Sequence, residues 1–519
     1  MAWLHTWSGL LMGWLLFAVF LTGTVAFFRH EITYWMTPEL HQSVPSEKTP
    51  EVAAQFLSRV APQAEQWRID LPDERDRTVS VMWRNSGEPP AGRRGGHREI
   101  LDATTGETLH PRETRGGGFL YRFHFELYAM PRHWGRGIVG VATLFMFVAI
   151  LSGIVTHKKI FADFFTFRPK KGQRSWLDAH AATAVLALPF HLMITFSGLV
   201  LVASTLLFWN YEPRGQRGGP GENVAPAAAQ EVVRELPLPL LAPLIAEAEA
   251  DWGQPVGSIN IDNPFQRDMR IELTSLYTQI LSAHGGGSAN GTDKLIFDAS
   301  GTRVGASGLT QNISGIQIFS NALGTLHRAR YADSLTRWLF FIAGVLGTIM
   351  VGTGMVLWSV KRARKRLGRF GYELVCGLNV GSIAGLMAAM GIYFWANRLV
   401  PATVEHRADW EVNAFFVAWA VLLVYGLVDR HRRGWVVQLV AGAVLYLLLP
   451  VLNFLTSDLT VLQAWRGHNW PVLGFDGISL LTGVTLAAMA GYLYRKPMLH
   501  ARKASRAPRA ERRLQEAEA

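Results

Sequence analysis

A single cysteine, Cys376, stands among 519 residues. An internal disulfide is thereby excluded, as are a Cys-ligated iron–sulfur cluster, a four-cysteine zinc site and a CxxCH haem attachment. Charge is scarce as well. Asp, Glu, Lys and Arg make up 18% of the chain against 49% apolar residues, whereas a soluble domain carries about 25% charged residues. No Gly-x-Gly-x-x-Gly fingerprint sits in a strand–turn–helix setting, and Gly95-Gly96 and Gly116-Gly117-Gly118 read as loops, so no built-in flavin or nicotinamide domain is expected. The charge present leans basic, 51 Lys+Arg against 40 Asp+Glu. A nucleic-acid binder shows such an excess, and so does a membrane protein with basic loops on one face.

Long apolar runs decide between these. A bilayer core needs about 20 apolar residues per helix, and eight spans are expected: 1–29, 134–157, 178–208, 333–360, 372–397, 411–429, 434–454 and 474–494. The first is too long and too polar at its ends for a signal peptide, lacks a small-residue cleavage site, and reads as a retained helix. Residues 158–177 hold six Lys/Arg, 361–370 six more, the turn near 430 three and the tail 495–519 eight. The opposite short loops hold two (Arg398, Arg407) and one (Arg466). By the positive-inside rule both termini are cytoplasmic, and 30–133 and 209–332 lie outside. The basic excess belongs to the cytoplasmic face, so nucleic acid is not expected as a partner; the lipid bilayer is.

The two outside segments read as folded modules. Strands are expected at Val79–Trp83, Glu99–Leu101, Ile259–Ile261, Met269–Leu273 and Lys294–Phe297, with loops at 86–96, 212–228 and 284–292. Each module carries a similar Asp…Gly turn, Asp102–Gly106 and Asp298–Gly301. The expected fold class is an all-α membrane bundle of about eight helices with two small α+β modules inserted.

The first four spans form two copies of one unit: helix, outside module, helix. His5 is followed 17 and 18 residues later by Thr22-Gly23, and His180 at the same spacing by Ser197-Gly198. His124 precedes Ser152-Gly153 by 28 and 29 residues, and His327 precedes Thr353-Gly354 by 26 and 27. Both copies run the same way, which implies a pseudo-twofold axis along the membrane normal. His5 and His180 then face each other at the cytoplasmic boundary, and His124 and His327 at the outer one.

Facing imidazoles on separate helices are the axial ligand set of a low-spin b-type haem. Two such pairs would carry electrons across the bilayer. A metal site without haem is the alternative, although the acidic partners usual for one are scarce in these helices. His191, eleven residues after His180 and about 16 Å up the helix, could ligate the outer haem, bridge the two haems or bond a carbonyl freed by Pro189. His133 and His157 form a second tier with it, and His30 ranks below them. The remaining eight histidines read as surface residues. The glycine of each Thr/Ser-Gly pair fits close helix packing or room for a porphyrin face, while Gly377, Gly381 and Gly385 fit helix packing. Trp3, Trp35, Trp134, Trp176, Trp209, Trp338, Trp358 and Trp395 read as boundary anchors.

At these residues the chain resembles the PepSY-associated transmembrane helix family, which includes bacterial iron-regulated membrane proteins and inner-membrane ferrisiderophore reductases. The matching pieces are Leu4-His5-Thr6-Trp7-Ser8-Gly9-Leu10, the Asp102–Gly106 turn, Trp176-Leu177-Asp178-Ala179-His180, Leu326-His327-Arg328-Ala329-Arg330-Tyr331 and the run Arg337–Gly344. The resemblance covers about 1–360 and implies four core helices, two periplasmic PepSY modules and, in reductase members, two b-type haems held by histidines. Thr156-His157-Lys158-Lys159 and Pro189-Phe190-His191 look like a subgroup feature. Spans five to eight lie beyond the pattern. The expected function is that of a bacterial inner-membrane dihaem reductase with two haem b groups, on His5/His180 and His124/His327. Its acceptor is a periplasmic ferric chelate, such as a ferric siderophore, and its donor a quinol or a cytoplasmic reductase. Iron leaves on reduction because hard oxygen ligands hold the lower charge less strongly. The rival readings are a haem-free periplasmic protein-binding module on a membrane anchor, and an iron or siderophore transporter. The second was disfavoured because acidic residues fall outside the spans.

Overall fold

A computed structural model describes residues 1–88, 96–156, 168, 171–206, 236–277, 293–307, 315–329 and 331–495. Helix α1 (Ala2–Ala26) is apolar along its length and leads into the short α2 (Arg29–Trp35). After α3 (Thr49–Val60) and four strands comes α4 (Gly116–Glu126), then the long α5 (Arg132–Thr156). The second copy begins with α6 (Gln173–Leu186) and α7 (Leu188–Leu206) and continues with α8 (Leu241–Trp252), four more strands, α9 (Gly315–Arg328) and α10 (Ser334–Arg366). The remainder is helical: α11 (Phe370–Asn379) runs through a π turn at Val380–Ala384 into α12 (Gly385–Leu399). Next come α13 (Arg407–Val428), α14 (Arg432–Thr456), α15 (Val461–Arg466) and α16 (Trp470–Arg495). Among the described residues seven helices are long and apolar enough to cross a membrane, and α6 with α7 makes an eighth as a bent pair. The protein is a multi-pass membrane protein.

The third span is not one helix. Its halves meet at 70° around Ala187. Pro189 has no N–H and cannot bond the carbonyl four residues back, so the backbone turns there.

The two outside segments are not separate modules either. They share one antiparallel sheet of eight strands, ordered β4-β3-β2-β1-β5-β6-β7-β8. Its strands are β1 (Gln66–Asp70), β2 (Val79–Arg84), β3 (His97–Leu101), β4 (Thr108–Leu109), β5 (Val256–Asp262), β6 (Arg270–Ser275), β7 (Lys294–Asp298) and β8 (Arg303–Ser307). The halves join at β1 and β5, in register from Gln66↔Asp262 to Asp70↔Ser258, with Gln66 Nε2 donating to Asp262 at 2.7 Å. Pairing the two central edges leaves neither open to another chain. Trp67, Ile69, Val81, Ile259, Ile261, Ile271, Leu273 and Phe297 form one core under α3 and α8. The duplicated turns close alike: Asp102 accepts from the Thr104 and Thr105 amides, and Asp298 from those of Ser300 and Thr302. Gly106 and Gly301 take left-handed φ of 71° and 80°.

The β1–β2 connection seats the sheet on one end of the helices. Arg75 pairs with Glu31 on α2 at 2.7 Å, and Arg77 donates to the Gly467 carbonyl. Lys361 and its basic neighbours mark the opposite end. Helices α11–α16 pack beside α1, α2 and α4 around Leu386, Tyr393, Phe415, Leu439 and Tyr446. Gly377 and Gly381 do lie against α13, as helix packing requires: a Cβ at either would come within 3 Å of that helix's backbone. Trp35 is no boundary anchor. It is fully buried, stacked on Phe475, and its Nε1–H donates to Asp476. Nor are acidic residues confined outside the spans: Asp178, Glu373, Glu411 and Asp476 lie on the span helices, the first three buried.

Candidate functional site

The four repeat-related histidines come together as two pairs. His5 on α1 and His180 on α6 have ring centroids 6.2 Å apart, with planes at 66°. His124 and His327 are also 6.2 Å apart, at 35°. The outer two do not sit on the spans themselves. They lie on the short helices α4 and α9, each followed by a break before the long helix begins, where Leu127, Tyr128 and Ala329 take positive φ.

One local rule builds all four positions. Each ring lies against the glycine of a Thr/Ser-Gly pair on a neighbouring helix, and its Nδ1 reaches the turn before that glycine. His5 Nδ1–H donates to the Ala149 carbonyl at 2.8 Å, beside Gly153. His180 does the same to Met350 at 2.8 Å beside Gly354, and His124 to Val19 at 2.7 Å beside Gly23. His327 Nδ1 is 2.9 Å from the Ser197 hydroxyl, with the Ile194 carbonyl alongside, next to Gly198. The carbonyl is always four residues before the glycine. That carbonyl already accepts one helical bond, and its second lone pair is reachable only where no Cβ covers it. A Cβ would stand 2.5 Å from the ring at Gly23, 3.0 Å at Gly198, 3.1 Å at Gly354 and 3.2 Å at Gly153. The glycines therefore make room for imidazoles, which neither sequence reading of them anticipated.

The consequence is chemical. An Nδ1 that donates to a carbonyl fixes the tautomer with the lone pair on Nε2, the ligating form. Burial pushes His124 below its usual pKa and His327 down to about 3, so both stay neutral. With metal–nitrogen bonds of about 2.0 Å, two imidazoles on opposite sides of one ion lie about 6 Å apart centre to centre, which is the spacing of both pairs. Among the described residues no three or more His, Cys, Asp or Glu converge on one point. Two imidazoles per end suit a metal whose other positions are already filled, as in a porphyrin. His5 and the acceptor of His124, Val19, are 14 residues apart on α1, about 21 Å along the axis.

The second-tier histidines do not form pairs. His191 is buried on α7 between Phe20 and Gly347, at a level between the two pairs. Neither of its ring nitrogens makes a hydrogen bond of good geometry, although the carbonyls of Ala184 and Ala343 lie beside it. Ala343 again precedes a glycine, Gly347, by four. His133 is exposed against Trp134, and His157 lies outside the described residues. His30 accepts from Arg29 Nε at 3.2 Å. His41, read as a surface residue, is 2% exposed and donates through Nε2 to the Tyr34 carbonyl.

Sequence reasoning missed the corner that holds His124. Gly116–Gly118 are not a loop but the start of α4, and Gly117 lets that helix touch α2, where a Cβ would meet the Arg29 backbone at 2.3 Å. At its other end Glu126 is held by Arg122 at 3.1 Å and Arg136 at 2.6 Å. It also missed two arginines. Arg29 lies over Tyr121, one turn before His124, with its Cζ 4.7 Å from the ring centre. Arg328 follows His327. Among the described residues neither has a carboxylate partner, because Glu31 is taken by Arg75 and Arg337. Burial lowers the Arg29 pKa, and repulsion from Arg75 and Arg328 adds to it.

The PepSY-associated TM region family matches residues 2–361, a stretch that contains all four paired histidines and stops short of α11–α16. No curated protein matches the chain.

Proposed function

The chain belongs to the PepSY-associated TM region family, and from that premise we propose that it is a bacterial inner-membrane dihaem reductase. It takes electrons from a quinol or a cytoplasmic reductase and passes them to a periplasmic ferric chelate, such as a ferric siderophore. The observation that carries the reading is the repetition of one arrangement at both ends of the bundle: two half-buried imidazoles 6.2 Å apart, each with a helix turn beside its Nδ1. A haem b bound at each end supplies one-electron redox chemistry. The side chains hold and orient. His5 and His180 serve the cytoplasmic end, and His124 and His327 the periplasmic end. The Nδ1 bonds fix ring direction and raise Nε2 basicity. Phe20 and Phe190 keep the interior between the pairs apolar around His191.

Arg29 and Arg328 favour an anionic chelate at the outer site, since two guanidinium groups with no carboxylate partner among the described residues raise the local concentration of anions. One electron takes ferric to ferrous iron, and the chelator's hard oxygen donors then release it. The one-electron step to the ferric chelate moves no proton; a quinol donor would give up two electrons, one at a time, and release its two protons at the donor end.

The test is the absorption spectrum of the purified protein, oxidised and dithionite-reduced, with haem counted per chain, on wild type, His5→Ala and His327→Ala. Two b-type haems in wild type and one in each variant are expected. A colourless protein from haem-replete cells would move the weight to a periplasmic binding module on a membrane anchor.

A further inference from the structure

The four spans beyond the family match do not stand apart from the histidine pairs. Their sheet-side ends close around the N-terminus of α4. Tyr393 Oη donates to the Gly116 carbonyl at 2.8 Å. Arg407 Nη1 donates to the Glu113 carbonyl at 2.8 Å and to Glu411 Oε1 at 2.5 Å. Glu411 also accepts from Asn397 Nδ2 at 2.7 Å and from the Thr114 hydroxyl at 2.6 Å. Arg407, Glu411 and Asn397 are wholly buried. Arg115 pairs with Asp409 at 2.7 Å. Residues 113–116, the run entering α4, are thus fixed by groups from α12 and α13.

The helix body is gripped as well. Phe119 packs on Tyr393 and Phe415 with centroids 5.0 and 5.1 Å away, and Phe123 on Phe415 and Trp419 at 5.7 and 6.0 Å. Phe119 and Phe123 are an i, i+4 pair on one face. His124 is the next residue and points the other way, to Val19 and Gly23 on α1. So α4 is clamped between α1 and the α12–α13 ends, with the imidazole on one side and the clamp on the other. The repeat-related helix α9 carries His327, and among the described residues no hydrogen bond joins it to α11–α16.

We infer that α11–α16 are a positioning unit for the outer pair, in which Tyr393, Arg407 and Glu411 fix α4 and through it the orientation of the His124 ring. The role of these side chains as positioning residues for a haem ligand rests on the dihaem reading; the clamp on α4 does not. A buried charge network is costly unless every partner is present. Here the Glu411 carboxylate bonds to Asn397, Arg407 and the 114–115 run, so it has all of these partners only when α4 is docked.

The experiment compares full-length wild type with Tyr393→Phe, Glu411→Gln and, as a control, Tyr446→Phe. Tyr446 is buried in the same four-span unit, and its hydroxyl has no hydrogen-bond partner among the described residues. Two readouts are taken: the midpoint potentials and low-spin ferric electron paramagnetic resonance signals of the haems, and amide hydrogen exchange across 116–124 and 322–328. Tyr393→Phe is expected to shift the signal and potential of one haem alone, the one lost in His327→Ala. It should also speed exchange in 116–124 about tenfold, the effect of one lost hydrogen bond. Glu411→Gln should do both more strongly, and Tyr446→Phe neither. Exchange and outer signal both unchanged in folded Tyr393→Phe would overturn the inference, and so would Tyr446→Phe matching it or both haems moving together. If wild type holds no haem, the dihaem reading fails while the exchange comparison still decides the clamp.

Discussion

Gly23→Ala tests the rule that builds the site, because its effect can be worked from distances. The added Cβ would stand 2.5 Å from both Cε1 and Nδ1 of His124. Carbon atoms in contact sit about 3.5–4.0 Å apart, so the ring must retreat by about 1 Å. The 2.7 Å bond from His124 Nδ1 to the Val19 carbonyl then breaks. A buried donor left without its acceptor costs about 1–3 kcal/mol, and overpacking a close-fitting site costs about 1–3 kcal/mol more. The better helix propensity of Ala returns about 1 kcal/mol, so the outer site weakens by a few kcal/mol. Gly153→Ala is the matched comparison: its Cβ meets His5 at 3.2 Å, which a shift of a few tenths of an ångström relieves. Haem per chain and the reduced-minus-oxidised spectrum decide the matter. Gly23→Ala should lose or strongly shift one haem, the same one that His327→Ala removes, and Gly153→Ala should keep both. Two haems with wild-type potentials in Gly23→Ala would refute the reasoning.

Arg29→Gln and Arg328→Gln together should raise KM for an anionic ferric chelate at least about tenfold at low salt and leave a neutral chelate unaffected, since only the former gains from local positive charge; equal effects on both chelates would remove the anion preference. Acid should weaken the sheet-side packing through His41, whose pKa burial pushes down to about 3. Its neutral form is favoured in the folded chain, so its contribution is complete above an unfolded value of about 6.5 and is lost as pH falls from there towards 3. Melting temperatures of wild type and His41→Asn between pH 7 and pH 4 should therefore converge with acid, and parallel curves would contradict this.

The pairing of His5 with His180 and of His124 with His327 was legible because duplication repeats the offsets, identically for the first pair and within two residues for the second, and two copies about one axis bring equivalent positions face to face. The strands at 79–83, 99–101, 259–261 and 294–297 were legible from alternation and turn residues. What was hidden depended on contacts between segments distant in sequence. β1 and β5 pair across nearly 200 residues, and nothing local to Trp67 or Ile259 announces a partner. The bend at Ala187 had a visible cause in Pro189, yet the apolar run around it reads as one span. The Thr/Ser-Gly pairs were noticed, but their purpose lies in a ring from another helix. Arg407 read as a loop charge because Glu113, whose carbonyl it bonds, is nearly 300 residues away, and Glu411 is as far from Thr114.

A duplicated unit by itself makes two equivalent sites, and on the proposed reading a chain that moves electrons one way needs them to differ. The difference lies in what surrounds each pair. At the sheet end Arg29 and Arg328 stand beside the histidines with no carboxylate partner among the described residues, and Arg75 and Arg337 are balanced by Glu31 and Glu74. At the basic end Asp178, two residues before His180, is closed by Arg168 at 2.8 Å and adds no net charge. Positive charge near a metal favours its reduced form, so on the proposed reading Arg29 and Arg328 raise the potential of the outer site. The same two arginines then serve twice, drawing the anionic chelate in and raising the potential of the site that meets it. Neutralising them should lower the outer potential as well as the affinity. A variant that loses affinity while keeping the wild-type potential would separate the two roles and assign the arginines to the chelate alone.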